Sequence, residues 1–367
     1  MNETAYLVLS DGSVFEGLSF GSEKSTYGEV VFNTSMTGYQ EILTDPSYSG
    51  QIVIPTYPII GNYGINEKSN ESNKIQVSGF VVRQYCESPS HSTSTSNIND
   101  FLASQNIPGI HEIDTRAIVR KLRSSGVMMG AIAIGISPNE ALEQIQSSQA
   151  YNLTNFVQRV STKKQYSWPK KEETPDNEKS LLNILVSDYG VKYNILRILE
   201  SKGCRVTVFP YDTTAEELLN LNPDGIMLSP GPGDPEMLDN TTKIAKELVG
   251  RVPIMGICLG NQILAKAFGG KTYKLHFGHR GGNHPVKDLE TGRIYITAQN
   301  HGYAVDAESL PPEIAITHIN MNDGTVAGIK HRSLPAMSIQ YHSEASPGPQ
   351  DNEYIFDQFI EMVKEFK

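Results

Sequence analysis

The sequence predicts an α/β protein in two parts: a strand-rich α+β N-terminal half and a C-terminal half built on a mostly parallel sheet covered by helices. Three observations carry this. In the second half, continuous apolar, β-branched runs alternate with helical patterns, which calls for a parallel sheet buried on both faces. In the first half, strand-like runs and turn signals dominate. Between the halves, residues 161–180 are rich in Lys, Glu, Ser, Pro and Asp, with the only tryptophan, Trp168, among them. A length of 367 residues suits about two domains. They are expected at residues 1–155 and 183–367, joined by a polar linker at 156–182 that the Trp168 ring anchors.

In the first half, residues 6–9 and 14–17 flank Asp11-Gly12, a hairpin signal. Residues 74–82 read as a further strand, 97–105 and 115–124 as helices, and 127–134 as a strand. Ser137-Pro138-Asn139-Glu140 opens another helix, with proline at the first position and glutamate closing a capping box. In the second half, 182–186 is a strand, 191–202 a helix ended by Gly203, and 204–209 a strand. Thr213 or Thr214 caps the next helix, with Glu216 or Glu217 three residues on. Strands follow at 224–228, 252–255 and 336–341. The last helix, 354–366, places Ile355, Phe359, Met362, Val363 and Phe366 on one face, read as core. There is no internal repeat.

The chemistry concentrates at the ends of three of these strands. Gly256-Ile257-Cys258-Leu259-Gly260 follows the apolar run Val252-Pro253-Ile254-Met255 and leads into a helix at 261–268. The flanking glycines permit a sharp turn and close approach of a substrate. A cysteine there sits at a helix N-terminus, whose partial positive charge favours an anion such as a thiolate, the nucleophile of acyl transfer. A lone buried cysteine is more often a small hydrophobe; the flanking glycines and the partners reverse that reading. The strand 336–341 runs into His342-Ser343-Glu344. Residues two apart on extended backbone point the same way, so His342 can face Cys258 as general base while Glu344 orients it from behind. Taken alone, the two would be a surface histidine and a solvated carboxylate. The strand 224–228 leads into Ser229-Pro230-Gly231-Pro232-Gly233-Asp234-Pro235. The Gly231 N–H, with that of Leu259, could form an oxyanion hole; by itself the loop is an ordinary turn.

Gly-Ile-Cys-Leu-Gly-Asn-Gln, Ser-Pro-Gly-Pro-Gly-Asp-Pro and His-Ser-Glu, in this order over roughly residues 183–367, resemble the class I (triad) glutamine amidotransferases. The resemblance implies that Gln262 contacts the glutamine and that Asn300, Gly302 and Tyr303 in Gln299-Asn300-His301-Gly302-Tyr303 hold its amino-acid end, with Gly233 lining the same site. The first half narrows the family. Glu29-Val30-Val31-Phe32-Asn33-Thr34-Ser35-Met36-Thr37-Gly38-Tyr39-Gln40-Glu41, Asp45-Pro46-Ser47-Tyr48 and Thr56-Tyr57-Pro58-Ile59-Ile60-Gly61-Asn62-Tyr63-Gly64 resemble the small, glutamine-hydrolysing subunit of carbamoyl phosphate synthetase. Ile113-Asp114-Thr115-Arg116, Phe277-Gly278-His279-Arg280-Gly281-Gly282-Asn283-His284-Pro285-Val286 and Glu344-Ala345-Ser346-Pro347-Gly348-Pro349 agree.

By this resemblance, Ser47 contacts the glutamine, although a serine in such a turn is more often a local hydrogen-bonder. The resemblance also implies a large-subunit partner, in a heterodimer or higher assembly. That partner uses ATP and Mg to make carbamoyl phosphate for arginine and/or pyrimidine biosynthesis. This chain is expected to carry no cofactor and no metal. Three positions depart from the usual pattern: Asn261 for histidine, Pro230 for asparagine and Ser343 for proline, the last with some loss of rigidity. The rival readings are the amidotransferase subunit of another synthase, such as one for anthranilate or guanylate, a non-catalytic subunit of the same fold, and a cysteine peptidase.

Composition excludes other classes. Thirty-one basic against 41 acidic residues give a net charge of −10, which argues against a nucleic-acid partner. Three scattered cysteines, Cys86, Cys204 and Cys258, make no disulfide framework and suit a reducing cytoplasm. The first 12 residues lack a basic region followed by an apolar core, and no apolar run reaches membrane-spanning length. Gly269-Gly270-Lys271-Thr272 resembles the end of a phosphate-binding loop, but Ala265 stands where its first glycine belongs, and a helix precedes it. His276, His279 and His284 lack the cysteines or carboxylates of a metal site.

Overall fold

The computed structural model describes residues 3–169 and 181–367, which form two compact units. The first comprises residues 1–154 and 276–281, the second 155–275 and 282–367. The short run 276–281 therefore belongs with the N-terminal unit although it lies far along the chain.

The N-terminal unit is a closed barrel, with strands in the order Thr4–Leu9, Val14–Gly21, Pro108–His111, Gly79–Val81, Gln51–Pro55, Thr26–Asn33 and Met128–Ile134. The Asp11-Gly12 turn joins the first two as an antiparallel pair, with Leu7 opposite Phe15 and Val8 opposite Val14. Ala5, Leu7 and Leu9 point to one core while Val8 points to another, beneath the helix Pro138–Ser147. The capping box at that helix is present, Ser137 and Glu140 each bonding the other's backbone N–H. The strand expected over 74–82 is shorter, Gly79–Val81, and Val77 makes only a bridge to Ser49.

The C-terminal unit holds a 10-stranded sheet. Its centre is parallel, in the order Cys204–Pro210, Leu182–Asp188, Gly225–Leu228, Ile254–Ile257 and Ala336–Ile339. Ile184 and Val186 pack on one side with Tyr193–Ser201 and Tyr354–Phe366. Leu185, Ile226 and Ile254 pack on the other with Asp239–Leu248 and Leu259–Ala267. Both faces are covered, which is why these strands read as continuous apolar runs. Beyond Ala336–Ile339 the sheet continues through Val326–His331, Ile314–Asn320, Thr272–Asp288 and Ile294–Val305.

Two expectations change. Part of the segment read as linker is built into the C-terminal unit. Val157 is buried in its core, and Tyr166–Trp168 pairs antiparallel with Cys204–Pro210. Trp168 lies against Tyr193, with ring centroids 5.1 Å apart, and donates to Glu200 at 3.1 Å. Residues 170–180 of that segment lie outside the described residues. On the last helix, Phe366 is 48% exposed because it sits in the final turn, past the edge of the sheet. Phe356 and Ile360 are buried with Ile355, Phe359 and Val363 instead.

Candidate active site

The strand Ile254–Ile257 ends in a turn at Cys258, which holds φ 54°, ψ −104°, before the helix Leu259–Ala267 begins. A non-glycine residue with positive φ is strained and persists only where its surroundings enforce it. The surroundings are backbone. A Cβ on Gly256 would come within 2.5 Å of the Gly260 carbonyl oxygen, and one on Gly260 within 2.1 Å of that of Leu228. The two glycines thus let the turn close on itself and on the neighbouring strand. The Cys258 N–H donates to the Ile339 carbonyl at 2.8 Å, tying the strand that ends at Cys258 to the one that leads to His342.

The Cys258 sulfur is 2% exposed and lies 3.6 Å from the Asn300 carbonyl oxygen. The His342 ring is fixed by its Nδ1, 2.6 Å from Glu344 Oε1, and its backbone N–H donates to Ala298 O at 2.8 Å. Nε2, the other ring nitrogen, is buried without a hydrogen-bond partner. Burial alone disfavours the imidazolium. The Glu344 carboxylate and then the Cys258 sulfur outweigh it and raise His342 to about 10. Glu344 is fully buried, and burial alone would raise its carboxyl. Lys192 and His342 reverse this and hold it at about 2. Lys192 Nζ lies 3.0 Å from Glu344 Oε1 and also donates to the Ala345 carbonyl. Asn194 Nδ2 donates to the Glu344 carbonyl at 2.6 Å.

Leu259 is the first residue of its helix, so its N–H has no intrahelical acceptor. Gly231 lies beside it. A Cβ on Gly231 would meet the Leu259 side chain at 2.9 Å and the Tyr189 carbonyl oxygen at 2.3 Å. Gly233, two residues on, takes φ 96°. Gln262 is buried and donates from Nε2 to the Tyr303 carbonyl at 2.9 Å and to Gln340 Oε1 at 3.2 Å. Tyr303 and Asn300 are buried and Gly302 half-buried on the strand Ile294–Val305. Ser47 belongs to the N-terminal unit. Its N–H donates to Asp45 Oδ1 at 2.9 Å, while its buried hydroxyl has no hydrogen-bond partner.

The structure thus gathers Cys258, His342, Glu344, Asn300, Leu259 and Gly231 around the end of the parallel sheet, where ligands bind in such folds. A separate cavity of about 500 Å³ is lined by Asp288, Thr317, His318, Lys330 and Glu361, among others, and by no triad residue. Gly269-Gly270 closes the helix Leu259–Ala267, with Gly269 at φ 95°. Among the described residues, no group of three or more His, Cys, Asp or Glu could hold a metal ion.

The profile of the glutamine amidotransferase class-I family matches residues 185–362, and that of the carbamoyl-phosphate synthase small chain, CPSase domain, matches residues 7–132. The carbamoyl phosphate synthase small chain of Aquifex aeolicus is 49% identical over 372 residues, covering 99% of this chain and 100% of its own. That of Akkermansia muciniphila is 50% identical over 366 residues, covering 98% and 97%. The chain belongs to the carbamoyl phosphate synthase small chain family. Membership makes it the glutamine-hydrolysing small subunit of that synthase and implies a large-subunit partner.

The family departures now have places. Asn261 is fully buried and spans the strand beside it, accepting from Ser338 Oγ at 2.9 Å and donating to Gln340 Oε1 at 3.0 Å. It braces the helix that follows Cys258 and bonds none of the Cys258, His342 and Glu344 side chains. Ser343 is fully buried and its hydroxyl has no hydrogen-bond partner. Sequence reasoning missed Lys192 and Asn194. Both fell inside an expected helix, where a lysine reads as solvated. The available signal was Asp188-Tyr189-Gly190-Val191-Lys192 at the carboxyl end of a buried strand.

Proposed function

We propose that Cys258 attacks the side-chain amide carbon of L-glutamine, with His342 as general base and acid and Glu344 as its orienting carboxylate. The Gly231 and Leu259 N–H groups stabilise the oxyanion. His342 protonates the departing ammonia and a γ-glutamyl thioester forms. His342 then activates water, and glutamate leaves. The buried charges suit this order of events. The Cys258 sulfur helps hold the proton on His342. Bonding of the sulfur to the amide carbon ends that interaction, so the ring gives up its proton more readily to the departing ammonia. The neutral ring can then take a proton from water. Burial of the sulfur and the imidazole keeps bulk water from these charges and strengthens them.

The observation that carries this reading is the His342 ring. One nitrogen is held at 2.6 Å by a buried carboxylate, and the other has no hydrogen-bond partner, on a ring whose proton affinity the Cys258 sulfur raises. Ser47, Gly233, Gln262, Asn300, Gly302 and Tyr303 are proposed to hold the glutamine; the unpartnered Ser47 hydroxyl supports the first of these. In this reading the chain works in a cytoplasmic heterodimer or higher assembly. Ammonia passes to the large subunit, which uses ATP and Mg with bicarbonate to make carbamoyl phosphate for arginine and/or pyrimidine biosynthesis. No cofactor acts in this chain. The test is Cys258→Ser in the assembled enzyme. Glutamine-dependent synthesis is expected to be abolished while ammonia-dependent synthesis persists; retained glutamine hydrolysis removes Cys258 from its role.

A further inference from the structure

One turn, residues 188–192, touches both halves of the proposed machinery. It joins the strand Leu182–Asp188 to the helix Tyr193–Ser201. At its far end Lys192 is 2% exposed and pairs with Glu344 at 3.0 Å. In its middle, the Tyr189 carbonyl presses on Gly231, where a Cβ would come within 2.3 Å. The same turn therefore sets the charge behind the imidazole and backs an oxyanion donor.

Two side chains hold it in place. Asp188 is 4% exposed. Its Oδ1 accepts from the Gly190 N–H at 3.0 Å and the Val191 N–H at 2.8 Å, and its Oδ2 from the Thr162 N–H at 2.7 Å. Ser229 is fully buried; its Oγ accepts from the Tyr189 N–H at 2.9 Å and donates to the Pro230 carbonyl at 2.8 Å, one residue before Gly231. Gly190, at φ 139°, supplies the backbone freedom this turn requires. A carboxylate buried against three backbone N–H groups with, among the described residues, no cation beside it is costly to desolvate, and burial pushes its pKa up.

We propose that Asp188 is a positioning residue for glutamine hydrolysis, fixing the 188–192 turn so that Lys192 reaches Glu344 and Tyr189 supports Gly231. This rests on the amide-cleaving reading above. It touches no substrate; it acts through Lys192 and through the Gly231 backbone.

The test is a double-mutant cycle in the complex with the large subunit, with glutaminase kcat, KM for glutamine and the rate of Cys258 alkylation by iodoacetamide as readouts. Asp188→Asn keeps one acceptor oxygen and loses the other. It is expected to lower kcat about tenfold with KM for glutamine within about twofold, the split expected when a transition-state interaction is lost. In a Lys192→Met background the same change is expected to lower kcat by less, about threefold, since Lys192 no longer needs placing while the Gly231 backbone still does. Reductions that multiply in the double variant overturn the proposal, as does a KM rise that accounts for the whole loss. If Asp188→Asn does not fold, Ser229→Ala loosens the same turn from its other side, and the same coupling to Lys192→Met decides. Cys258→Ser, run in parallel, separates the two levels. Glutaminase activity without the thiol sinks the catalytic reading itself, whereas additivity with an active Cys258 sinks only the role of Asp188.

Discussion

Lys192 and Glu344 make the sharpest prediction, because neither charge is stable alone. Glu344 is fully buried and Lys192 is 2% exposed, with 3.0 Å between them. Glu344→Gln keeps the size of the side chain and an oxygen for the His342 ring, but it takes away the carboxylate that pairs with the Lys192 ammonium. Breaking one partner of a buried pair costs ~3–5 kcal/mol, most of it the unpaired ion left behind. Lys192→Met alone leaves Glu344 with His342 as its partner at 2.6 Å, so its loss is expected to be smaller. The double variant buries no orphan charge. It should lose less than the sum of the singles, with a coupling energy in the upper part of the ~0.5–3 kcal/mol range found for contacting residues. Urea unfolding of all four proteins at one pH measures this. Catalysis should not recover with stability. Without the carboxylate the imidazole loses its orienter and its charge partner, so kcat for glutamine hydrolysis should stay ~10²-fold to 10⁴-fold down, the usual scale of general acid–base catalysis. Strictly additive losses of stability, or a double variant with near wild-type glutaminase rate, would refute this account of the buried charges.

Three further outcomes are expected. Gly260→Ala places a Cβ 2.1 Å from the Leu228 carbonyl oxygen, a backbone atom of a central strand. It should cost at least ~1–3 kcal/mol as overpacking does, and an unchanged urea midpoint would show that the turn has slack. Ser343→Ala removes a buried hydroxyl that has no hydrogen-bond partner, so stability should hold or rise by about 1 kcal/mol with kcat little changed. A tenfold loss of kcat would instead assign that hydroxyl a catalytic contact. The His342–Glu344 pair also fixes a pH window. Glu344 is held below its usual 4.5, at about 2, so its contribution is present above pH 4.5 and lost as pH falls towards 2. His342 is held above its usual 6.5, at about 10, so its contribution is present below pH 6.5 and lost as pH rises through 10. Unfolding of wild type against His342→Ala should show the stability gap widest between these two usual values, shrinking above pH 6.5 and closed once pH has passed 10; a gap that widens with alkali contradicts the assignment.

The parts legible in the sequence are those whose physics is local. Gly256 and Gly260 flank Cys258 because backbone atoms approach too closely for any side chain, so the turn announces itself by residue type. Thr214 and Glu217 cap the helix Ala215–Leu219 reciprocally, and Gly203, at φ 79°, follows the helix Tyr193–Ser201. What stayed hidden is set by distant pairing. The strand Thr272–Asp288 is rich in glycine and histidine and is given no element from sequence, yet its end pairs with Ile314–Asn320. The barrel strands Gln51–Pro55 and Thr26–Asn33 pair in parallel and lie almost wholly buried, so no alternation of polar and apolar residues marks them. Lys192 shows no trace of its burial in sequence, since only the fold brings Glu344, 152 positions later, to its ammonium.

Three strained residues of the C-terminal unit lie where two neighbouring parallel strands end, and their grouping has a physical basis. Cys258 sits at φ 54°, and Ala345 and Ser346, just past Glu344, sit at φ 55° and 50°. Each such residue stores ~1–3 kcal/mol that neighbouring structure must over-determine. The neighbouring structure is the pair of strands Ile254–Ile257 and Ala336–Ile339, hydrogen-bonded in parallel register from Ile254 opposite Ala336 to Ile257 opposite Ile339. Both strands are fully buried, so neither can shift without opening the core. Asn261 adds a bond from the helix behind the nucleophile to Ser338 and Gln340 on the second strand. This locks the helix carrying Cys258 at its start to the strand carrying His342 at its end, from beneath and outside the reacting groups. A position with that duty needs a polar side chain able to span the two elements and needs no imidazole. The departure from histidine to asparagine at 261 therefore falls on the bracing between these two elements and not on Cys258, His342 or Glu344.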